Sequence, residues 1–166
     1  MGLLFTSEPV ANVTSSNQVL VSACLLGVSC RYDGLSKPLP DADRLGAQGL
    51  IPVCPEVMAG FGVPRPAIER REDGRVVVCD SGEDVTERLE RAAHAIADLA
   101  SAHGVTTAWL KEYSPSCGST FLKRGGVAVP GEGLAAAVLR RRGMTVLPAD
   151  GPCSPLAPEP GAVETR

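Results

Sequence analysis

Val19-Leu20-Val21-Ser22-Ala23, with Cys24 directly behind it, is a short apolar run rich in β-branched residues and reads as a buried strand. Working outward, Gly49-Leu50-Ile51-Pro52-Val53 is a second, weaker strand, again followed at once by a cysteine, Cys54. Between them a helix is expected over Ala42 to Gln48, with Asp41 capping its first turn and Gly49 ending it. Val85, Leu89, Ala92, Ile96 and Leu99 recur at spacings of four and three, which predicts a helix from about Glu83 to His103. Ser81 is the expected cap, Glu83 and Asp84 suit the positive end of the helix dipole, and Gly104 suits a left-handed stop. Thr106-Thr107-Ala108-Trp109-Leu110 is a third strand, and the loop Lys111 to Ser119 that follows carries Cys117. A last helix near Gly133 to Arg142 stops at Gly143 and leads into the strand Met144 to Leu147.

Strands that alternate with helices pair in parallel through right-handed crossovers, so their C-terminal ends share one edge of the sheet. That edge is where open α/β folds bind ligands. The reading is therefore a single α/β domain with a mainly parallel, Rossmann-like sheet, flanking helices, and Cys24, Cys54 and Cys117 together at the C-terminal strand edge. Residues 18–150 make up this domain, while 1–17 and the Pro-rich 151–166 read as tails. No internal repeat and no phosphate-binding glycine fingerprint of the Rossmann or P-loop type is present.

A chain of 166 residues supports one hydrophobic core. Its net charge of -3 provides no basic field to gather a polyanion, so nucleic acid is disfavoured and a small molecule fits better. No apolar run reaches the roughly 20 residues needed to span a bilayer, and MGLLFTSEPV lacks the features of a signal peptide, so no membrane is expected and the location is expected to be cytoplasmic. Oligomeric state leaves no mark on the sequence.

Six cysteines in a reducing compartment call for metal or redox chemistry rather than structural disulfides. Cys79, at the end of Val76-Val77-Val78, is expected to be a small buried hydrophobe, and Cys153 is given no role. Thiolates select zinc, copper(I) or iron-sulfur clusters. A structural zinc site would want four ligands in close pairs, but no C-x2-C occurs, and His94 and His103 belong to the long helix rather than to a ligand set. Three cysteines on a four-iron cluster would leave one iron open to act on a substrate as a Lewis acid. Cys30, separated from Cys24 by five intervening residues, could instead close that position.

Val21-Ser22-Ala23-Cys24-Leu25-Leu26-Gly27, Cys30-Arg31-Tyr32-Asp33-Gly34, Pro52-Val53-Cys54-Pro55-Glu56, Pro64-Arg65-Pro66 and Leu110-Lys111-Glu112 with Ser114-Pro115-Ser116-Cys117-Gly118-Ser119 resemble the signatures of the bacterial 2-thiouracil desulfurase family. The resemblance runs over about residues 18–150 and implies a [4Fe-4S] cluster bound by Cys24, Cys54 and Cys117. It also implies Glu56 and Ser114 as the catalytic pair, with Glu56 the general base on water and Ser114 or Lys111 positioning substrate or moving a proton. Arg31, Tyr32, Asp33 and Arg65 are candidates to hydrogen-bond a uracil-like ring. The implied reaction is non-redox desulfuration of a thiolated nucleobase-like compound, 2-thiouracil giving uracil and hydrosulfide. The competing reading is a non-catalytic metal or iron-sulfur module for sulfur sensing or delivery, which would leave Glu56 and Ser114 without a task.

Overall fold

The computed structural model describes residues 17–45 and 49–156. Four parallel strands form its central sheet: β1 (Gln18–Ser22), β2 (Gly49–Val53), β5 (Thr107–Leu110) and β8 (Thr145–Pro148), in the order β2-β1-β5-β8. The chain leaves β1 for β2 on one side and later returns to β5 on the other. The topological switch point thus lies between β1 and β5, and the first residues beyond these strands flank the crevice that such a switch opens.

Alternation along β1 divides the core. Leu20 packs on one face with Ala108, Leu110 and Val146, beneath the long helix α2 (Thr86–Ala102) and α3 (Leu134–Arg141). Val19 and Val21 face the other way, against Leu25, Cys30, Leu45 and Trp109. Burying such a Leu or Val side chain stabilises the fold by roughly 1.5–3 kcal/mol. The second face is covered not by an α-helix but by the β1–β2 connection, with its 3-10 turns at Ala23–Leu26 and Ala42–Leu45. The helix expected over Ala42 to Gln48 is thus reduced to a single turn; residues 46–48 lie outside the described residues.

The long helix begins later than its apolar periodicity implies. Residues 83–85 pair with β4 (Val76–Val78) instead: the Val78 N–H donates to Glu83 O and the Val85 N–H to Val76 O. The expected cap, Ser81, accepts the Glu83 N–H within this turn, and it is Asp84 that accepts the Thr86 N–H at 2.9 Å. Backbone pairing outcompeted a longer helix. At the other end Gly104 takes a φ of 65° and the Val105 N–H returns to Ala100 O, the left-handed stop expected there.

Two hairpins interrupt the α/β alternation. β3 (Ile68–Arg70) pairs antiparallel with β4, and β6 (Phe121–Arg124) with β7 (Val127–Pro130). Cys79 corrects an expectation. Val76, Val77 and Val78 are all buried, but the paired ladder ends at Val78, and Cys79 stands exposed in the turn beyond. The C-terminal segment expected to begin at 151 lies partly against the domain: Arg44 Nη1 donates to Leu156 O at 2.7 Å and Ser154 is buried, while 157–166 and 1–16 lie outside the described residues. Among the described residues no helix is long and apolar enough to cross a membrane.

Candidate functional site at the C-terminal strand edge

The residues that follow the four parallel strands meet at one edge. After β1 the chain turns through a 3-10 helix that buries Cys24 and is closed by Gly27 at a φ of 88°. After β2, Cys54 is the N-cap of the short α1 (Pro55–Met58), where Pro55 needs no N–H partner in the first turn and Glu56 follows directly. After β5 comes Lys111, and after β8 comes Asp150.

Cys117 lies further along, in a loop tied down from two sides. Ser114 Oγ accepts the N–H groups of Ser116 and Cys117 at 3.2 and 3.0 Å. The first N–H groups of α3, which have no partner inside the helix, donate to this loop instead: Leu134 to Pro115 O and Ala135 to Ser116 O. The approach is so close that a Cβ on Gly133 would overlap the Ser116 carbonyl and one on Gly118 the carbonyls of Phe121 and Ser114. Glycine at both positions is what lets Cys117 reach the sheet edge.

A cavity of about 630 Å³ opens here, and Cys24, Cys30, Cys54 and Cys117 all line it, together with Glu56, Ser114, Lys111, Arg31, Tyr32 and Arg65. Asp33 does not reach the wall: it pairs with Arg31 at 3.0 Å and accepts the Leu35 N–H, closing its own loop. Burial pushes the Cys24 thiol above its ordinary value against the opposing charge of Lys111. Burial likewise raises Cys117 well above its usual range, with Ser22 as a hydrogen-bond partner favouring its thiolate, and pushes Cys30 up to about 12 with help from Cys54 and Cys24.

Both oxygens of Glu56 are engaged. Arg65 Nε donates to Oε2 at 2.7 Å and Ser116 Oγ to Oε1 at 2.9 Å, in a pair whose side chains are only 5% and 12% exposed. Arg65, expected near the substrate ring, lines the cavity and at the same time fixes the carboxylate through Nε. Lys111 Nζ donates to Asp150 Oδ2 and to the Glu112 carbonyl, both at 2.7 Å.

Among the described residues no three Cys, His, Asp or Glu side chains converge as the ligands of a single ion would. The donor set nonetheless suits an iron-sulfur cluster: the groups are thiols, neither histidine lines the cavity, and a four-iron cluster takes each thiolate on a different iron, so its ligands surround a volume rather than a point.

A family model described as 2-thiouracil desulfurase matches residues 19–150. The chain belongs to this family. A solved structure titled [4Fe-4S]-dependent thiouracil desulfidase TudS is 45% identical and superposes with a TM-score of 0.71, covering 78% of this chain and 88% of that one. The Bacillus subtilis (strain 168) protein YbbK is 37% identical over 142 residues, which is 78% of this chain and 93% of that protein. Membership in a desulfurase family favours the enzyme reading over the non-catalytic module.

In this desulfurase-family chain, several residues that shape the cavity had no role in the sequence reading. Ser22 accepts the Lys111 N–H, Ser116 holds Glu56, and Asp150 holds Lys111 while accepting the Glu112 N–H at 2.7 Å. Asp150 was within reach of the rule that picked out the cysteines, since it too follows a parallel strand. The partners of Ser22 and Ser116 lie 89 and 60 residues away and leave no local pattern.

Glu112 is 1% exposed, and its carboxylate accepts the N–H groups of Ser119 at 2.6 Å and Phe121 at 2.8 Å and the Ser119 hydroxyl at 2.5 Å. It clamps the loop carrying Ser114 and Cys117, which includes Tyr113 at the left-handed φ of 62° that a side chain disfavours. Glu112→Ala would orphan the two fully buried donors, the N–H and hydroxyl of Ser119, at roughly 1–3 kcal/mol each. A loss of about 3 kcal/mol is therefore expected in denaturant unfolding of the cluster-free protein. Unchanged stability would mean that the loop is held by its contacts to α3 alone.

Proposed function

We propose that the protein is a [4Fe-4S]-dependent desulfurase that hydrolyses the carbon-sulfur bond of a thiolated nucleobase-like compound, converting 2-thiouracil to uracil and hydrosulfide. Cys24, Cys54 and Cys117 are its cluster ligands, Glu56 its general base and Ser114 its second catalytic group. The observation that carries this reading is the sharing of one cavity by these three thiols with Glu56, Ser114 and Lys111, in a chain 45% identical to a thiouracil desulfidase. Such a cluster, when bound through three thiolates, supplies an open iron as a Lewis acid for the thiocarbonyl sulfur.

The chain's own groups supply the rest. Glu56 receives a proton from the attacking water. With one partner on each oxygen it still has lone pairs to spare, and Arg65 and Ser116 hold it in one orientation. Ser114 Oγ accepts two N–H groups, so its own proton is free to donate to the substrate. Lys111 has three N–H donors and uses two on Asp150 and Glu112, leaving the third for a ring oxygen or nitrogen. Arg31 and Tyr32 hydrogen-bond the ring from the cavity wall. Asp33 serves by fixing Arg31. Water enters, hydrosulfide leaves, and no net electron transfer occurs. The protein is expected to work in the cytoplasm on a small thio-compound.

Anaerobic reconstitution tests this most directly. The expected result is about four irons per chain and matching sulfide, with hydrosulfide and uracil released in equal amounts from 2-thiouracil. A fully loaded protein that releases neither from thiolated pyrimidines would overturn the proposal.

A further inference from the structure

Cys30 lies in the candidate cavity, yet the three-thiolate reading does not use it. Its loop runs from the 3-10 turn after β1, held by the Cys30 N–H to Val28 O at 2.8 Å and by the Lys37 N–H to Cys24 O at 2.9 Å. This brings it against the N-cap of α1. The Cys54 thiol donates to the Cys30 carbonyl across 3.8 Å, and both cysteines line the same cavity. Among the described residues the Cys54 thiol makes no such bond to Cys24 or Cys117. Of these four cysteines, Cys54 alone is only half-buried, the others being buried.

We propose that Cys30 and Cys54 form a reversible disulfide when the protein is without its cluster, so that Cys30 guards Cys54 against irreversible oxidation. With the Cys54 thiol already seated on the Cys30 backbone and both cysteines on one cavity wall, side-chain rotation that meets the required dihedral closes the two sulfurs to S–S bonding distance. Hydrogen peroxide is the oxidant considered. One thiol sulfur attacks a peroxide oxygen, the O–O bond breaks, and a sulfenic acid and water result. The second sulfur then displaces the sulfenic hydroxyl as a second water and the S–S bond forms. Two thiols have lost two electrons to one peroxide, and both thiol protons end in water. Without a neighbouring thiol the sulfenic acid goes on to sulfinic acid, which ordinary thiol reductants do not reverse. The disulfide occupies Cys54, so the oxidised chain cannot take up a cluster until it is reduced. That consequence rests on the reading of Cys54 as a ligand, whereas the disulfide itself does not.

The test uses the full chain, stripped of iron by a chelator, reduced, and then exposed anaerobically to a small excess of hydrogen peroxide. Alkylation and non-reducing peptide mapping should find Cys30 joined to Cys54, with four of the six thiols still titratable (6 − 2 = 4) and all six restored by dithiothreitol. In Cys30→Ser, peroxide followed by dithiothreitol should leave Cys54 as sulfinic acid and remove most of the subsequent iron uptake, whereas the parent recovers. A bridge between any other pair, no bridge at all, or equal recovery by Cys30→Ser would overturn the proposal. The mapping is done on the parent and does not depend on how the variant folds. Full iron uptake by untreated Cys54→Ser would instead refute the ligand reading and leave a mapped Cys30–Cys54 bridge standing.

Discussion

Replacing Cys24, Cys54 or Cys117 by serine, one at a time, should each reduce iron to background and abolish hydrosulfide release. A serine hydroxyl is a hard and weakly acidic donor, whereas iron-sulfur clusters are held by soft thiolates. The fold should survive the loss. The three cysteines follow different strands of a sheet whose two core clusters are mainly aliphatic, with Cys117 in one and Cys24 in the other, so the apo variants should keep their α/β circular dichroism, unlike a zinc finger deprived of zinc. Cys24→Ser and Cys117→Ser should be less stable than Cys54→Ser, because both side chains pack in the core whereas Cys54 is only half-buried. Cys79→Ser and Cys153→Ser should retain parental iron, both residues being exposed. Full iron in any one of the first three variants would remove that cysteine from the ligand set.

The parallel sheet was legible because a strand buried on both faces must be apolar throughout, and Val19 to Ala23 is such a run. Once the strands were ordered, topology alone brought the cysteines to one edge. The hairpins were harder to see. Ile68-Glu69-Arg70 has no apolar alternation to match Val76–Val78, and the Gly125-Gly126 turn between β6 and β7, both residues at positive φ, was a usable signal weakened by its flanking Lys123-Arg124. The start of α2 was misjudged because propensity carries no information about residues 83–85 being claimed by β4. At the candidate site, sequence reading could name groups of suitable chemistry but not their pairings. Arg65 and Asp33 were assigned to substrate for their polarity; in the fold Arg65 lines the cavity while its Nε holds Glu56, and Asp33 closes its own loop.

Glu56→Gln separates catalysis from cofactor binding, and the surroundings of the side chain say how cleanly. The amide oxygen can keep the Arg65 hydrogen bond, and its NH2 can face Ser116, whose hydroxyl accepts as readily as it donates. Shape and contacts survive, but the charge does not. Removing one member of a buried ion pair costs about 3–5 kcal/mol when nothing replaces it. The retained hydrogen bonds should keep the loss well below that, so folding and iron content should stay near parental. Turnover should fall about 10²–10⁴-fold, the usual contribution of a general base. Ser116→Ala leaves the charge and the Arg65 contact in place and removes only one positioning bond, so its loss should be smaller, should appear in kcat rather than KM, and should be largely restored by Ser116→Thr. Ser114→Ala should act mainly on KM if its hydroxyl only orients substrate, since water can replace part of that bond. Parental rates in Glu56→Gln would dismiss the carboxylate as the base. Loss of iron in that variant would instead make Glu56 a support for the cluster and direct the search for the base to the cavity's remaining proton-accepting groups.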